Sequence, residues 1–284
     1  MSENCFSIHG VVLITSFRCN LNCKYCSSYV PYLNNKLERS NDEIIKGAER
    51  FFRIVDNVDY MFVTGGEPLL HKELPDLLER IFVGFSDRFR KMQLITNGTI
   101  VPNEDLLTVL KKYRYKVHRV LVDDYGRDLS KRIPEITAVL DENDIPYSVR
   151  DYCSENAYCG GWVDMGDMYK ELHTLEEAQE IYEKCSVPGW GFCSVIADDI
   201  WYPCDQVFRR LDLGQKVDPN DYIDLTDKTL TVEQQREKFK RIFDKKCLET
   251  CKYCSGLCKD SVRIKPAEQL TSEELRKIKE NRIK

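Results

Sequence analysis

The sequence lacks the features that would place the protein in a membrane, a secretory pathway or on nucleic acid. No apolar run approaches the roughly 20 residues that cross a bilayer. The first residues carry no positively charged region followed by an apolar one, as a secretory signal would. The net charge is −5, whereas nucleic-acid-binding domains usually carry a basic face. We therefore expect a soluble, cytoplasmic protein with no membrane and no nucleic-acid partner.

What the sequence does have is cysteine, at 13 of 284 residues. In a reducing compartment thiols are more often metal ligands or catalytic groups than halves of disulfides. The first cluster of thiols is Cys19, Cys23 and Cys26, at CxxxCxxC spacing. It follows the apolar run 11–14, which reads as a buried strand, so these cysteines leave a strand end, where α/β folds keep their chemistry.

Three closely spaced thiolates suit a soft metal. A [4Fe–4S] cluster takes four ligands, so a three-cysteine loop leaves one iron with an open position. A zinc site completed from elsewhere, or reduced thiols without metal, are the alternatives.

A second motif follows one helix later. Residues 60–64 read as another buried strand, and it ends on Gly65-Gly66-Glu67-Pro68. Glycines permit left-handed backbone and close approach to a ligand, and Glu67 places a carboxylate at the strand end. A plain glycine turn is the simpler interpretation.

In this order, CxxxCxxC with Tyr25 in the penultimate position and then GGEP resemble the radical S-adenosylmethionine (radical SAM) family. The resemblance implies that the methionyl amine and carboxylate of S-adenosylmethionine chelate the open iron, and that reduction yields a 5′-deoxyadenosyl radical. It also implies that Tyr25 lies by the adenine and that the Gly65, Gly66 and Glu67 segment holds the amine.

Further cofactor-binding residues are expected at the next two strand ends. In the family a polar residue at the third strand end reaches the ribose, which implicates Thr96 and Asn97. Asn97 could instead simply tolerate a turn. Asp124, at the fourth strand end, completes the predicted cofactor-binding set.

Strand and helix alternate through five units, which predicts parallel strands joined by right-handed crossovers. We predict an α/β fold, a partial (β/α)6 TIM-like barrel over residues 1–184, in which residues 162–165 form a short sixth strand. Residues 185–260 would form a small cysteine-rich appendage of β-hairpin plus helix, and residues 261–284 a helical tail.

Polar residues recur at the predicted strand ends, where such barrels carry function. They are Asp123, Asp124, Tyr125, Arg150, Asp151 and Tyr152. An Arg-Asp pair can grip hydroxyls or amines, so Arg150 and Asp151 are candidates for assisting deprotonation of a polar substrate. Solvated loop charges are the alternative.

Two thiols near this rim could return a hydrogen atom to a substrate radical. Cys159, which is followed by two glycines, is the candidate, with Cys153 as the second choice. A small buried hydrophobe is the more common fate of a free cysteine.

The second cysteine set begins at Cys185. Residues 192–204 predict a β-hairpin turning at Asp198-Asp199, with Cys193 and Cys204 facing each other at its base. Far along the chain come Cys247, Cys251, Cys254 and Cys258. Such a set can hold iron–sulfur or zinc, and the sequence does not choose between them.

This arrangement resembles the SPASM and twitch appendages of radical SAM enzymes. The resemblance implies an auxiliary [4Fe–4S] cluster on Cys185, Cys204, Cys251 and Cys254, with Cys193 competing with Cys185. The chain lacks the longer last cysteine spacing and the further downstream cysteine of the full pattern, so only one auxiliary cluster is expected.

These residues predict a radical SAM oxidoreductase or epimerase, supplied with electrons by a reductant such as flavodoxin or ferredoxin. Its compact form resembles the aminocyclitol dehydrogenases of the family. The first strand starts at about residue 11 without a leader-recognition domain before it, and the rim is polar, so we expect a carbohydrate or aminocyclitol-like substrate. A ribosomal peptide is the alternative substrate. A non-catalytic, zinc-stabilised binding protein is the alternative of another class.

Overall fold

The computed structural model describes residues 5–34, 39–190 and 195–282. Its described strands are β1 Ser7–Ile14, β2 Asn57–Thr64, β3 Phe89–Thr96, β4 Val117–Asp124, β5 Tyr147–Asp151, β6 Val195–Ala197, β7 Ile200–Tyr202 and β8 Ile223–Asp224. Its described α-helices are α1 Asn41–Ile54, α2 Leu74–Phe85, α3 Glu104–Lys112, α4 Ile133–Glu142, α5 Leu175–Lys184, α6 Ser186–Trp190, α7 Asp205–Asp212, α8 Val232–Phe243 and α9 Ser272–Arg282.

The strands form one sheet in the order β5-β4-β3-β2-β1-β6-β7-β8. Strands β1 to β5 are parallel, and β6 is also parallel to β1. Strands β7 and β8 continue the sheet in antiparallel pairing. An open parallel sheet with alternating helices is the partial TIM-like barrel that the sequence predicted. Its parallel strands end on one edge, where their loops can meet.

Local sequence signals explain where several helices begin. Ser40 and Glu43 form a reciprocal capping box at α1, as do Thr174 and Glu177 at α5. Each box satisfies backbone N–H groups that the first helical turn leaves without partners. These starts agree with the sequence predictions.

The appendage shares its core with the barrel. The fully buried Trp201 of β7 packs on Phe239 of α8, with ring centroids 4.4 Å apart. Phe239 in turn meets Phe51 of α1, and Arg236 Nη2 lies 2.8 Å from Asp56 Oδ1. The described sheet thus crosses residue 184, while the proposed division of the chain at that point stays a prediction.

The sixth strand was predicted in the wrong place. Residues 162–165 form no strand, and Trp162 makes only an isolated bridge to Ile264. The sixth parallel strand is Val195–Ala197, which pairs beside Val12 and Leu13 on the free edge of β1. Both placements depend on partners that are more than 100 residues away in the sequence, so the local apolar pattern was misleading.

The hairpin turn at Asp198-Asp199 is confirmed. Both residues have left-handed backbone, with φ of 52° and 60°, as a two-residue turn between antiparallel strands requires. The preceding residues 192–194, with the predicted ligand Cys193, lie outside the described part of the chain. Helix α7, which starts directly after Cys204, was not predicted. Within the described ranges, no helix is both long and apolar enough to cross a bilayer.

Candidate cofactor and metal site

The three thiols of the first motif lie on the loop that leaves the end of β1. Cys23 is buried, and Cys19 and Cys26 are half-buried. Burial raises the pKa of Cys23 to about 12 and that of Cys26 to about 11. The metal-free thiols are therefore protonated at neutral pH, and metal binding must release their protons.

The GGEP segment packs directly on the chain that leads into Cys19. The Gly66 N–H donates to the Ser16 carbonyl at 2.8 Å, and the Glu67 N–H donates to the Arg18 carbonyl at 2.7 Å. A methyl group at Gly66 would overlap the Arg18 carbonyl oxygen. Glycine is therefore required here because two backbone segments touch. The two motifs form one structural unit.

Glu67 joins the ends of β2 and β3. Its fully buried carboxylate accepts hydrogen bonds from Leu69 N (3.0 Å), Thr96 Oγ1 (2.9 Å) and Asn97 N (2.7 Å). Burial outweighs these bonds and raises the pKa of Glu67 to about 7. Within the protein, Glu67 positions the backbone at the third strand end.

Asn97 extends this network to the cysteine loop. Its side-chain N–H group donates to Asn20 Oδ1 at 2.9 Å and lies 3.7 Å from Cys19 Sγ. Its side-chain oxygen accepts from Thr99 N at 3.1 Å. Thr96 and Asn97 are both buried and use these groups inside the protein, so their contact with a ribose stays a prediction.

Tyr25 lines a wide cavity of about 1060 Å³ beside Cys26. Several residues between 255 and 264, including Cys258, also line it. The cavity thus extends from the first cysteine loop to the appendage. It has room for a cofactor together with a substrate, since ligand pockets commonly span 300–1,000 Å³.

On the rim, Asp123 and Arg150 are paired across neighbouring strands β4 and β5. Arg150 Nη2 donates to Asp123 Oδ2 at 2.8 Å, and Tyr125 Oη donates to the same oxygen at 3.1 Å. Burial lowers the pKa of Arg150, but the Asp123 carboxylate outweighs it and raises that pKa above its usual range. Arg150 is therefore a hydrogen-bond donor and a poor proton acceptor.

Asp124 and Asp151 make local turns at the same strand ends. Asp124 Oδ1 accepts from Gly126 N at 2.8 Å, and Asp151 Oδ1 accepts from Cys153 N at 2.7 Å. Hydrogen bonds from Ser154 and Cys153 lower the pKa of the exposed Asp151. The cofactor role of Asp124 and the catalytic role of Asp151 stay predictions, and the turn at Asp151 weakens it as a base.

Cys159 is exposed, so its interpretation as a buried hydrophobe is wrong. It has left-handed backbone, with φ of 54°. The neighbouring Tyr158 ring lies 5.2 Å from the Arg150 guanidinium and 5.7 Å from the Tyr152 ring. Tyr152 also packs against Trp162. The sequence analysis missed this aromatic cluster because its members come from separate loops.

Four thiols of the second set line one mostly apolar cavity of about 360 Å³. They are Cys185, Cys204, Cys251 and Cys254. Cys185 ends α5 and Cys204 precedes α7, while Cys251 lies within a short 3-10 helix and Cys254 directly follows it. Burial raises the pKa of Cys254 to about 12. The four thiols and the mostly apolar space between them fit an iron–sulfur cluster.

The other thiols of this set are placed differently. Cys258 lines the larger cavity, and its Sγ lies 3.6 Å from the Ile181 carbonyl oxygen, while Cys247 is half-buried. In the described ranges 5–34, 39–190 and 195–282, no three Cys, His, Asp or Glu groups are placed to hold a metal ion. A single zinc ion would therefore require these side chains to move. All twelve cysteines that the structure describes are free thiols.

Comparison with known proteins identifies the first half of this architecture. Residues 13–138 match the family model of the Radical SAM superfamily. The chain contains a radical SAM domain. The domain includes the cysteine loop, the GGEP segment, Thr96 and Asn97. Arg150, Cys159 and the second cysteine set lie beyond the matched residues.

Curated relatives match only part of the chain. A probable GTP 3′,8-cyclase from Methanococcus aeolicus is 28% identical over 122 residues, 42% of this chain and 36% of the relative. Molybdenum cofactor biosynthesis protein 1 from Dictyostelium discoideum is 34% identical over 34% of this chain and 15% of its own. PqqA peptide cyclase from Granulibacter bethesdensis is 30% identical over 36% of this chain and 26% of its own. The chain thus spans little more than a third of these relatives, or less.

Two solved structures resemble nearly the whole chain. BtrN in complex with AdoMet and 2-DOIA covers 93% of this chain and 97% of its own, with a TM-score of 0.50 and 16% identity. His-tagged anSMEcpe with bound AdoMet covers 98% of both chains, with a TM-score of 0.51 and 14% identity. At these identities the likeness shows a shared fold.

Proposed function

We propose that this protein is a radical SAM enzyme that oxidises or epimerises a polar small molecule. Cys19, Cys23 and Cys26 would hold a [4Fe–4S] cluster with an open iron for S-adenosylmethionine. Cys185, Cys204, Cys251 and Cys254 would hold one auxiliary [4Fe–4S] cluster. When bound, these groups supply a 5′-deoxyadenosyl radical for hydrogen abstraction and an acceptor for one electron.

The main support for the proposal is that the GGEP motif is hydrogen-bonded directly to the chain that leads into the cysteine motif. Gly66 and Glu67 bond to the carbonyls of Ser16 and Arg18, immediately before Cys19. A cofactor bound at the cysteine loop would therefore also face the GGEP backbone. Glu67 and Asn97 fix the third strand end against the same loop.

The substrate would enter the wide cavity beside Tyr25 and Cys26 and extend from it to the rim. Arg150 and Cys159 are not among the described residues that line this cavity. Arg150, held by Asp123, can donate to a substrate hydroxyl or carbonyl oxygen. It would orient the substrate, because its raised pKa disfavours proton removal. Cys159 is exposed next to this group and can give up a hydrogen atom.

These residues distinguish two outcomes. In oxidation the substrate loses a hydrogen atom, a proton and an electron, and no thiol is needed. In epimerisation Cys159, or Cys153, donates a hydrogen atom to the opposite face of the substrate radical, and the resulting thiyl radical returns to the thiol by taking one electron from the reductant and one proton. We favour a carbohydrate or aminocyclitol-like substrate because the rim pairs a guanidinium with carboxylates and tyrosines.

A peptide is the second candidate substrate. The cavity of about 1060 Å³ exceeds the usual size of a small-ligand pocket, and one relative is named a PqqA peptide cyclase. The zinc-stabilised binding protein is disfavoured by the radical SAM domain. Iron and sulfide analysis of anaerobically purified protein tests it, since that alternative requires zinc alone.

The test of function uses isotope transfer. Reduced enzyme is incubated with S-adenosylmethionine and deuterated sugars, aminocyclitols or peptides, and the label is followed into 5′-deoxyadenosine. We expect transfer of deuterium from a polar small molecule. Transfer only from peptides would show that the substrate is a peptide instead. Cys159→Ala should abolish product but not 5′-deoxyadenosine in an epimerase, whereas a dehydrogenase should tolerate it. Cys5→Ala, an exposed thiol on the chain before β1, is the control.

A further inference from the structure

We propose that Gln269 is a positioning residue for the first cysteine loop and tunes the reduction potential of the cluster held there. This inference rests on the proposed function. Gln269 is 246 residues from Cys23 in sequence and belongs to the segment between the appendage and α9. Neither the motifs nor the family match includes it.

The Gln269 carboxamide is fixed by three hydrogen bonds. Its Nε2 lies 3.2 Å from Cys23 Sγ and 2.7 Å from the Ala267 carbonyl oxygen. Its Oε1 accepts from Asn22 N at 2.8 Å. Because a backbone N–H only donates and a carbonyl only accepts, the amide cannot be reversed. An N–H group is therefore directed at the sulfur.

Backbone pairing holds the segment in register on both sides of Gln269. Lys24 N donates to the Glu268 carbonyl at 2.7 Å, and Leu270 N donates to the Asn22 carbonyl at 2.9 Å. Cys23 and Gln269 form an antiparallel bridge. The buried Leu270 anchors the end of this pairing. The C-terminal segment thus closes over the cysteine loop.

Gln269 lies closer to a thiol of this loop than Asn97 does, at 3.2 Å from Cys23 Sγ. Asn97 Nδ2 approaches Cys19 Sγ only to 3.7 Å. A donor close to a ligand sulfur stabilises negative charge on that sulfur, and the charge increases when a cluster is reduced. Hydrogen bonds to sulfur are among the factors that set cluster potentials. Gln269 should therefore raise the reduction potential and ease electron entry.

The main test compares the full chain with Gln269→Leu and Gln269→Glu. Anaerobically reconstituted protein is titrated with reductant while its electron paramagnetic resonance is recorded. The signal that changes when S-adenosylmethionine is added reports on the site with the open iron. We expect a more negative midpoint potential in both variants, since neither leucine nor carboxylate donates to sulfur. Glu268→Gln, which preserves the backbone pairing, should titrate like the wild type.

A second readout needs no cluster. Amide hydrogen exchange at Asn22 in metal-free protein should be faster in Gln269→Leu than in wild type and in Glu268→Gln. Gln269→Glu keeps an oxygen that can accept from Asn22 N, so the exchange of this amide should stay slow. This variant therefore separates the positioning of the loop from the effect on the reduction potential.

The outcomes separate this inference from the proposed function. A wild type with no signal sensitive to S-adenosylmethionine overturns the function and the tuning role together. A normal wild-type signal with unchanged potentials in both Gln269 variants overturns the tuning role alone. Unchanged exchange at Asn22 in Gln269→Leu overturns the positioning role.

Discussion

The two cysteine sets are built in different ways. The first lies within one loop, and its spacing is visible in eight consecutive letters of the sequence. The second draws Cys185, Cys204 and the pair Cys251 and Cys254 from three separate segments around one cavity. A site on one loop depends on the backbone beneath it, whereas a site made from several elements depends on the packing of a whole subdomain.

Removing one thiol from each set should give the largest contrast. Cys23→Ala should abolish S-adenosylmethionine cleavage, because the remaining two thiols leave the cluster short of ligands. Cys254→Ala should lose about four iron atoms but keep cleavage. Iron analysis and 5′-deoxyadenosine assays of both variants make the comparison. Equal loss of cleavage in both would contradict the independence of the two sites.

Gly66→Ala should damage the first set alone. The added methyl overlaps the Arg18 carbonyl, so we expect a loss of about 1–3 kcal/mol in unfolding free energy and weaker iron retention at the first site. The control is Gly84→Ala on α2, where nothing lies within 4 Å. It should stabilise the protein by about 0.5–1 kcal/mol. Urea denaturation measures the unfolding free energy of both variants, and iron analysis measures their metal content. A Gly66→Ala protein that matches the wild type in both measurements would contradict the requirement for glycine at this position.

The contribution of Glu67 to the free energy of unfolding should also depend on pH. Its pKa rises from 4.5 to about 7 on folding because of burial. The folded state therefore binds this proton more tightly, and its stabilising effect is lost as pH rises from about 4.5 through 7. The unfolding free energy of wild type minus that of Glu67→Gln should fall over this window by at most about 3 kcal/mol. A difference that stays level or rises with pH would exclude this role.

Cys247→Ala should have the smallest effect. Cys247 lines neither the 360 Å³ nor the 1060 Å³ cavity, so iron content and cleavage should stay within error of the wild type. Cys251→Ala is the matched positive variant from the same segment. Loss of iron in Cys247→Ala would mean that Cys247 is a ligand of the auxiliary cluster and that the proposed set of four is wrong.

Signals within one segment predicted most of the barrel. Apolar runs gave the five parallel strands, and the Ser40–Glu43 capping box gave the start of α1. Features that depend on distant partners were not predictable. Trp162 pairs with Ile264, about 100 residues away, and Gln269 pairs with Cys23 across most of the chain, so no local pattern reveals either contact.

In the candidate site, too, local motifs could be predicted from the sequence, whereas contacts between distant residues could not. The CxxxCxxC and GGEP motifs were evident, but the direct bonding of Gly66 and Glu67 to residues 16–18 was not. Asp123 and Arg150 were recognised as rim residues, whereas their mutual ion pair follows from the β4–β5 register. Because of this ion pair, we propose that Arg150 orients the substrate, whereas the sequence predicted that it assists deprotonation.

The most direct test of the central claim is a cleavage assay on the reconstituted wild-type protein. Under anaerobic conditions with dithionite, S-adenosylmethionine should yield methionine and 5′-deoxyadenosine in equal amounts, and the yield should vanish in Cys23→Ala. Iron-loaded wild-type protein that leaves S-adenosylmethionine intact would contradict the account.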